Sequence, residues 1–105
     1  MTQHTLDALF EIIESRKNDD PDTSWTAKLL YTGTQLIADK VVEEADEVIV
    51  EALAKNKEKL TAESADLLYH LLVLWADGGI KPCDVWAELQ RREGVSGIAE
   101  KQSRK

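Results

Sequence analysis

The sequence predicts an all-α protein, a bundle of about four to five helices. Three observations point that way. Apolar residues recur at helical spacing, as in Leu6, Leu9, Phe10 and Ile13 at i, i+3, i+4 and i+7. Turn material is scarce, with five Gly and two Pro in 105 residues, which is thin for an all-β fold. No segment sustains the two-residue alternation of a half-buried strand.

The first helix carries that Leu6–Ile13 stripe, with Thr5 as its expected N-cap, and should end near Lys17. Asn18 to Thr23 reads as a loop. Ser24 can cap a short helix, Trp25 to Tyr31, that Gly33 ends. A long helix is expected from about Thr34 to Ala54. Val41, Ala45, Val48 and Ala52 form its apolar stripe, with Ile37 and Ile49 beside it. Asn56 to Leu60 reads as a polar connection. Thr61 looks like the next N-cap, with Glu63 close to the positive end of the helix dipole.

The following helix, about Ala62 to Asp77, is apolar nearly all round over Leu67, Leu68 and Leu71 to Trp75. It is therefore expected at the centre, and Gly78-Gly79 ends it. Pro82 suits the first position of a last helix, whose inner face is Val85, Trp86 and Leu89 and whose stop is Gly94. Val95 to Lys105 reads as a polar, basic tail on a single domain spanning 1–105.

A chain of this length buries a modest share of its surface, and a second copy would help to close its core. The net charge of −7 argues against a binder of nucleic-acid polymers or membrane surfaces, which needs a basic face. It leaves a nucleotide substrate open, because a cation can bridge carboxylates to phosphates. Cys83 is the single cysteine, so no internal disulfide forms. With no signal peptide and no apolar run near the length of a membrane span, the cytoplasm is the expected location.

The informative chemistry is a pair of acidic motifs. Glu43-Glu44-Ala45-Asp46-Glu47 lies on the long helix and Glu63-Ser64-Ala65-Asp66 on the next. Glu44 and Glu47 are three apart and share one side of their helix; Glu63 and Asp66 repeat the spacing. A short connection packs the two helices antiparallel, which lets four carboxylates converge. Such groups repel and resist desolvation, and a hard divalent cation relieves both problems. Oxygen ligands suit Mg²⁺, with Mn²⁺ as the alternative, and leave positions for phosphates.

An isolated E-x-x-E is more often a solvated helix face than a site. The second motif shifts the balance, because Glu63, Asp66, His70 and Asp77 draw one polar line along an otherwise apolar helix. His70 reads first as a satisfied structural histidine, and second as a partner that orients a carboxylate or carries a proton. Glu43 flanks the cluster. His4 is given no role. Trp75, Trp86 and Cys83 read as packing residues, while Trp25 suits either base stacking or packing. Lys28, Lys40, Arg91, Arg92, Lys101 and Arg104 are the candidate phosphate-binding cations, and Ser96-Gly97 offers a weak backbone signal.

Several of these segments resemble one family. Ser24-Trp25-Thr26-Ala27-Lys28-Leu29 resembles the S-[YW]-T-A-K-L segment of phosphoribosyl-ATP pyrophosphatases. Lys40 to Val48 is similar to their K-V-G-E-E-A-x-E-V, and Glu63 to His70 to their E-x-A-D-L-x-Y-H. Glu88 to Arg92 and Ser96 to Lys101 resemble their closing segment, so the likeness runs from about Leu6 to Arg104. Val42 departs from the family's usual Gly, which a helix tolerates.

The resemblance implies an all-α nucleotide pyrophosphohydrolase that hydrolyses phosphoribosyl-ATP to phosphoribosyl-AMP and pyrophosphate, the second step of histidine biosynthesis. It implies Glu44, Glu47, Glu63 and Asp66 as Mg²⁺ ligands, with Glu43 adjacent; Glu44 and Glu47 are then the candidate catalytic residues, Glu47 as a base that activates water. Lys28, Lys40, Arg92 and Lys101 are then the expected phosphate contacts, with Glu43 and His70 in support. A homodimer and a functional link to phosphoribosyl-AMP cyclohydrolase also follow from it, since relatives are sometimes fused to that enzyme. Two competitors stand beside this reading. One is a MazG-like enzyme acting on other nucleoside triphosphates, separable by a substrate panel. The other is a non-catalytic helical dimer, separable by the absence of a Mg²⁺-dependent thermal shift.

Overall fold

The computed structural model describes residues 4–94 and 97–104. Among them lie six helices: α1 (Thr5–Ser15), α2 (Trp25–Thr32), α3 (Thr34–Leu53), α4 (Lys57–Gly78), α5 (Pro82–Arg91) and α6 (Gly97–Ser103). None is long and apolar enough to cross a membrane.

Most boundaries follow from capping chemistry. Ser24 accepts from the Ala27 N–H through its side chain at 3.1 Å, as an N-cap should. Gly33 ends α2 and starts α3 at φ 110°, a conformation that a side chain resists, so one glycine turns the chain between two helices. Pro82 occupies the first turn of α5. Gly79 closes α4 at φ 79°, and the Ile80 N–H reaches back to the Trp75 carbonyl at 3.1 Å, completing a Schellman motif.

The expected N-caps of α1 and α4 need correction. His4, not Thr5, caps α1: its Nδ1 accepts from the Leu6 N–H at 3.1 Å. α4 begins one turn before the expected start. Asn56 caps it, accepting from the Lys59 N–H at 3.1 Å, and Glu58 is its first-turn acid. Thr61 lies inside the helix and donates to the Lys57 carbonyl at 2.9 Å. The polar stretch over Lys57–Leu60 is therefore helical. The tail also contains α6, which the sequence could not announce, because its one large apolar residue, Ile98, is exposed and gives no stripe.

α3 and α4 form an antiparallel hairpin across Ala54, Lys55 and Asn56. The buried core gathers at one end of it. Phe10 and Ile13 of α1, Leu29 of α2, Ile37 of α3 and Leu72, Val73 and Ala76 of α4 make a continuous cluster. Deleting a side chain such as Leu72 from it should cost ~2–5 kcal/mol. α5 is tied to α1 by Trp86 Nε1–H donating to Asp7 at 3.0 Å, and Trp86 meets Trp75 edge-on at 6.0 Å.

The other end of the hairpin is less well covered than its pattern suggests. Val41, Ala45 and Val48 are half-buried and Ala52 is exposed. Val42, Ile49, Val50 and Leu53 of α3 and Leu68 of α4 are exposed. Leu89 of α5 is exposed, and so is Cys83, contrary to its reading as a packing residue.

Lys55 holds φ 57°, the one non-glycine residue at positive φ among the described residues. It occupies the same kind of helix-ending position that Gly79 fills at the end of α4. Lys55→Gly should therefore raise stability by about 1 kcal/mol and Gly79→Ala lower it by a similar amount. Thermal melts of the two variants check the opposite signs.

Candidate metal centre

The antiparallel hairpin sets the register of the site. Thr34, at the start of α3, donates to Asp77, near the end of α4, at 2.5 Å. Further along, Glu44 of α3 meets Glu63 and Asp66 of α4, with one carboxylate oxygen from each lying within 4.8 Å of the others. Two motifs that are three-residue repeats in sequence thus become one acidic cluster. Asp77 does not join it, since the polar line of α4 ends at Thr34 instead.

Burial makes the cluster unusual. Glu44 is 7% exposed, and both Glu44 Oε2 and Glu63 Oε2 are buried without a hydrogen-bond partner. A buried carboxylate oxygen left unsatisfied is costly. Two unit charges about 4 Å apart also repel by ~4 kcal/mol at the effective dielectric of a protein surface. Desolvation, followed by the neighbouring Glu47, holds the Glu44 carboxyl above its usual pKa. Glu47 is exposed and is itself raised, first by hydrogen bonding with Glu63 and then by desolvation. All-oxygen donors, two unpartnered buried oxygens and an excess of carboxylates fit a hard divalent cation.

One cation of the protein already leans in. Lys40 Nζ lies 3.0 Å from Glu43 and 3.6 Å from Glu44. Its pKa is raised, chiefly by the hydrogen bond to Glu43. Glu43 thus shares Lys40 with Glu44 and also adds negative charge near Glu47. His70 is buried; its Nε2 accepts from Trp25 Nε1–H at 3.2 Å, so Nδ1 carries the proton and donates to the Asp66 carbonyl at 2.8 Å. That is the satisfied structural arrangement, and it also pins the turn bearing Asp66. Tyr69, next in line, shares a hydrogen bond with Thr26 of α2.

The other expected phosphate contacts are dispersed. Lys28 is exposed on α2, beside Trp25 on a concavity of about 320 Å³. Arg92 is drawn to Glu88 at 3.2 Å, and Arg91 binds the same carboxylate at 2.6 Å, holding the Glu88 pKa down to about 2. Lys101 sits on α6, which adds nothing to the buried core. Ser96 lies outside the described residues. Concavities of about 460 and 440 Å³ elsewhere share no residue with the acidic cluster, so the unpartnered buried oxygens of Glu44 and Glu63, and not volume, locate the site.

A helical hairpin that sinks carboxylates from both arms into one cluster defines an all-α protein with a candidate divalent-cation centre. The chain belongs to the phosphoribosyl-ATP pyrophosphohydrolase family, whose sequence model matches residues 6–93. It is 59% identical over 99 residues to a phosphoribosyl-ATP pyrophosphatase of Paramagnetospirillum magneticum, covering 94% of this chain and 91% of that one. It is 56% identical over 100 residues to that of Azospirillum brasilense, covering 95% and 90%. It is 57% identical over 100 residues to that of Rhodospirillum rubrum, covering 95% and 86%.

The raised carboxyls set a pH dependence. Their folded-state pKa values exceed the ordinary 4.5, so the folded state binds protons more tightly than the unfolded state. Their effect on stability therefore worsens as pH rises from about 4.5 through the raised values. In chelator, Glu44→Gln should melt above the unsubstituted protein at about pH 8, with the gap narrowing towards about pH 5. Paired melts across that range check it; a gap that widens on acidification would contradict it.

Proposed function

We propose that the chain hydrolyses phosphoribosyl-ATP to phosphoribosyl-AMP and pyrophosphate, the second step of histidine biosynthesis, with Mg²⁺ as its cation and Mn²⁺ as a substitute. The observation that carries the reading is the pair of buried, unpartnered oxygens on Glu44 and Glu63 within one carboxylate cluster. The names of the relatives supply the substrate. Glu44, Glu63 and Asp66 hold the ion, with Glu47 at the rim of the same cluster. When bound, such an ion screens the phosphate chain and polarises its phosphoryl oxygens.

The chain's own groups do the rest. The attacking water forms a bond to phosphorus as the bond to the bridging oxygen breaks, and pyrophosphate leaves. Glu47, exposed at the edge of the cluster, accepts the proton that water loses. Lys40, now shared between Glu43 and Glu44, turns to the phosphates once the carboxylate charge is neutralised, and Lys28 assists from α2. Arg92, which meets Glu88 at 3.2 Å, and Lys101 are further candidates for phosphate contact.

The active form is a homodimer, for which the exposed Val42, Ile49, Val50 and Leu53 of α3 supply an apolar face. The product passes to a phosphoribosyl-AMP cyclohydrolase in the cytoplasm.

Pyrophosphate release from phosphoribosyl-ATP, with and without Mg²⁺ and beside a panel of other triphosphates, tests the reading. Release should be metal-dependent and confined to phosphoribosyl-ATP. Glu47→Gln should lower kcat roughly 100-fold or more. Release from the other triphosphates alone would point to the MazG-like alternative. No release together with no Mg²⁺-induced thermal shift would point to a helical interaction module.

A further inference from the structure

Trp25 is 44% exposed, yet its indole is tightly fastened. Its N–H is bonded to His70, and His70 is bonded in turn to the backbone at Asp66. On a second route, Lys40 Nζ stands 5.9 Å above the ring and 3.6 Å from Glu44. Both routes end on the acidic cluster. His70 lies four residues from Asp66 and Lys40 four from Glu44, about one helical turn in each case, so both groups that hold the ring neighbour residues of the cluster.

Membership of the core does not account for this ring. The other two tryptophans, Trp75 and Trp86, are half-buried and meet each other edge-on, and Trp75 also packs against the core. Trp25 is absent from the core and leaves nearly half of its surface in water. Beside it the Pro21–Ser24 turn and Lys28 form the concavity of about 320 Å³. That is at the small end of ligand sites, enough for a base and part of its sugar but not for a whole nucleotide triphosphate.

We infer that Trp25 is the stacking platform for the purine base of the substrate, whose phosphate chain runs past Lys40 to the Glu44–Glu63–Asp66 cluster. The inference rests on the nucleotide reading above and adds the residue that holds the base. His70 is a positioning residue here, since it orients the indole through its hydrogen bond and does not touch the substrate. Stacking uses the face of the ring, so the platform contributes affinity to any purine.

The test is the kinetics of pyrophosphate release from phosphoribosyl-ATP at saturating Mg²⁺ for Trp25→Ala and Trp25→Phe, with Trp25→Leu in place of the alanine variant if that one melts early. Trp25→Ala should raise KM roughly ten- to a hundred-fold with kcat within about threefold. Trp25→Phe keeps a π-face and lacks the N–H, so it should recover most of the loss. Alongside, adenosine monophosphate should quench tryptophan emission in the unsubstituted protein and not in Trp25→Phe.

An unchanged KM in Trp25→Ala overturns the inference. So does equal impairment of the alanine and phenylalanine variants, which would assign the effect to the anchor and not the face. A shift of Trp25→Ala to a smaller oligomer also overturns it, by placing the ring under a second copy of the chain. Absence of turnover in the unsubstituted protein counts against the hydrolase reading instead, and the quenching measurement then decides the platform by itself.

Discussion

Like charge forced together out of water is the constraint on which the arrangement depends. Glu44, Glu63 and Asp66 converge at the middle of the α3–α4 hairpin, and two of their oxygens are buried with no donor to meet them. A protein selected for stability alone would not place them there. The surroundings are consistent with holding them in place. The core that fixes the two helices sits at one end of the hairpin, clear of the carboxylates. Lys40 leans in from one side, and the Trp25–His70 pair ties α2 to the turn that carries Asp66.

The division of labour between the ends of the hairpin follows from the same constraint. Ile37, Leu72 and Val73 are fully buried where α1 and α2 cover them. Beyond the cluster, Ile49, Val50 and Leu53 of α3 are exposed among the described residues. A chain of 105 residues has limited interior to distribute, and here it is concentrated where the acidic groups are not.

Much of this was legible in the residues. The Leu6–Ile13 stripe, the Ser24 cap, the break at Gly33, the Gly78-Gly79 stop and the Pro82 start each have a local physical cause, and all five recur in the structure. The convergence of Glu44 with Glu63 and Asp66 followed from two spacings and a short connection. What failed was local ambiguity. Thr61 and Asn56 both suit an N-cap, and only the second is used. α6 has no stripe to reveal it. The fastening of Trp25 to His70 joins residues 45 positions apart, and nothing in either residue's neighbours signals it.

The connection between α3 and α4 also bears on how the chain folds. Only Ala54, Lys55 and Asn56 separate the two longest helices, so the closure entropy for their pairing is small. Pairing so local in sequence is the kind that forms fast, ahead of the longer-range docking of α1. That same local pairing is what brings Glu44 of α3 to Glu63 and Asp66 of α4. Their mutual repulsion acts on that first encounter, and a cation that bridges them acts on it with opposite sign. The ion suited to this cluster is thus placed to influence the rate at which the hairpin assembles, and not only the chemistry of the finished protein.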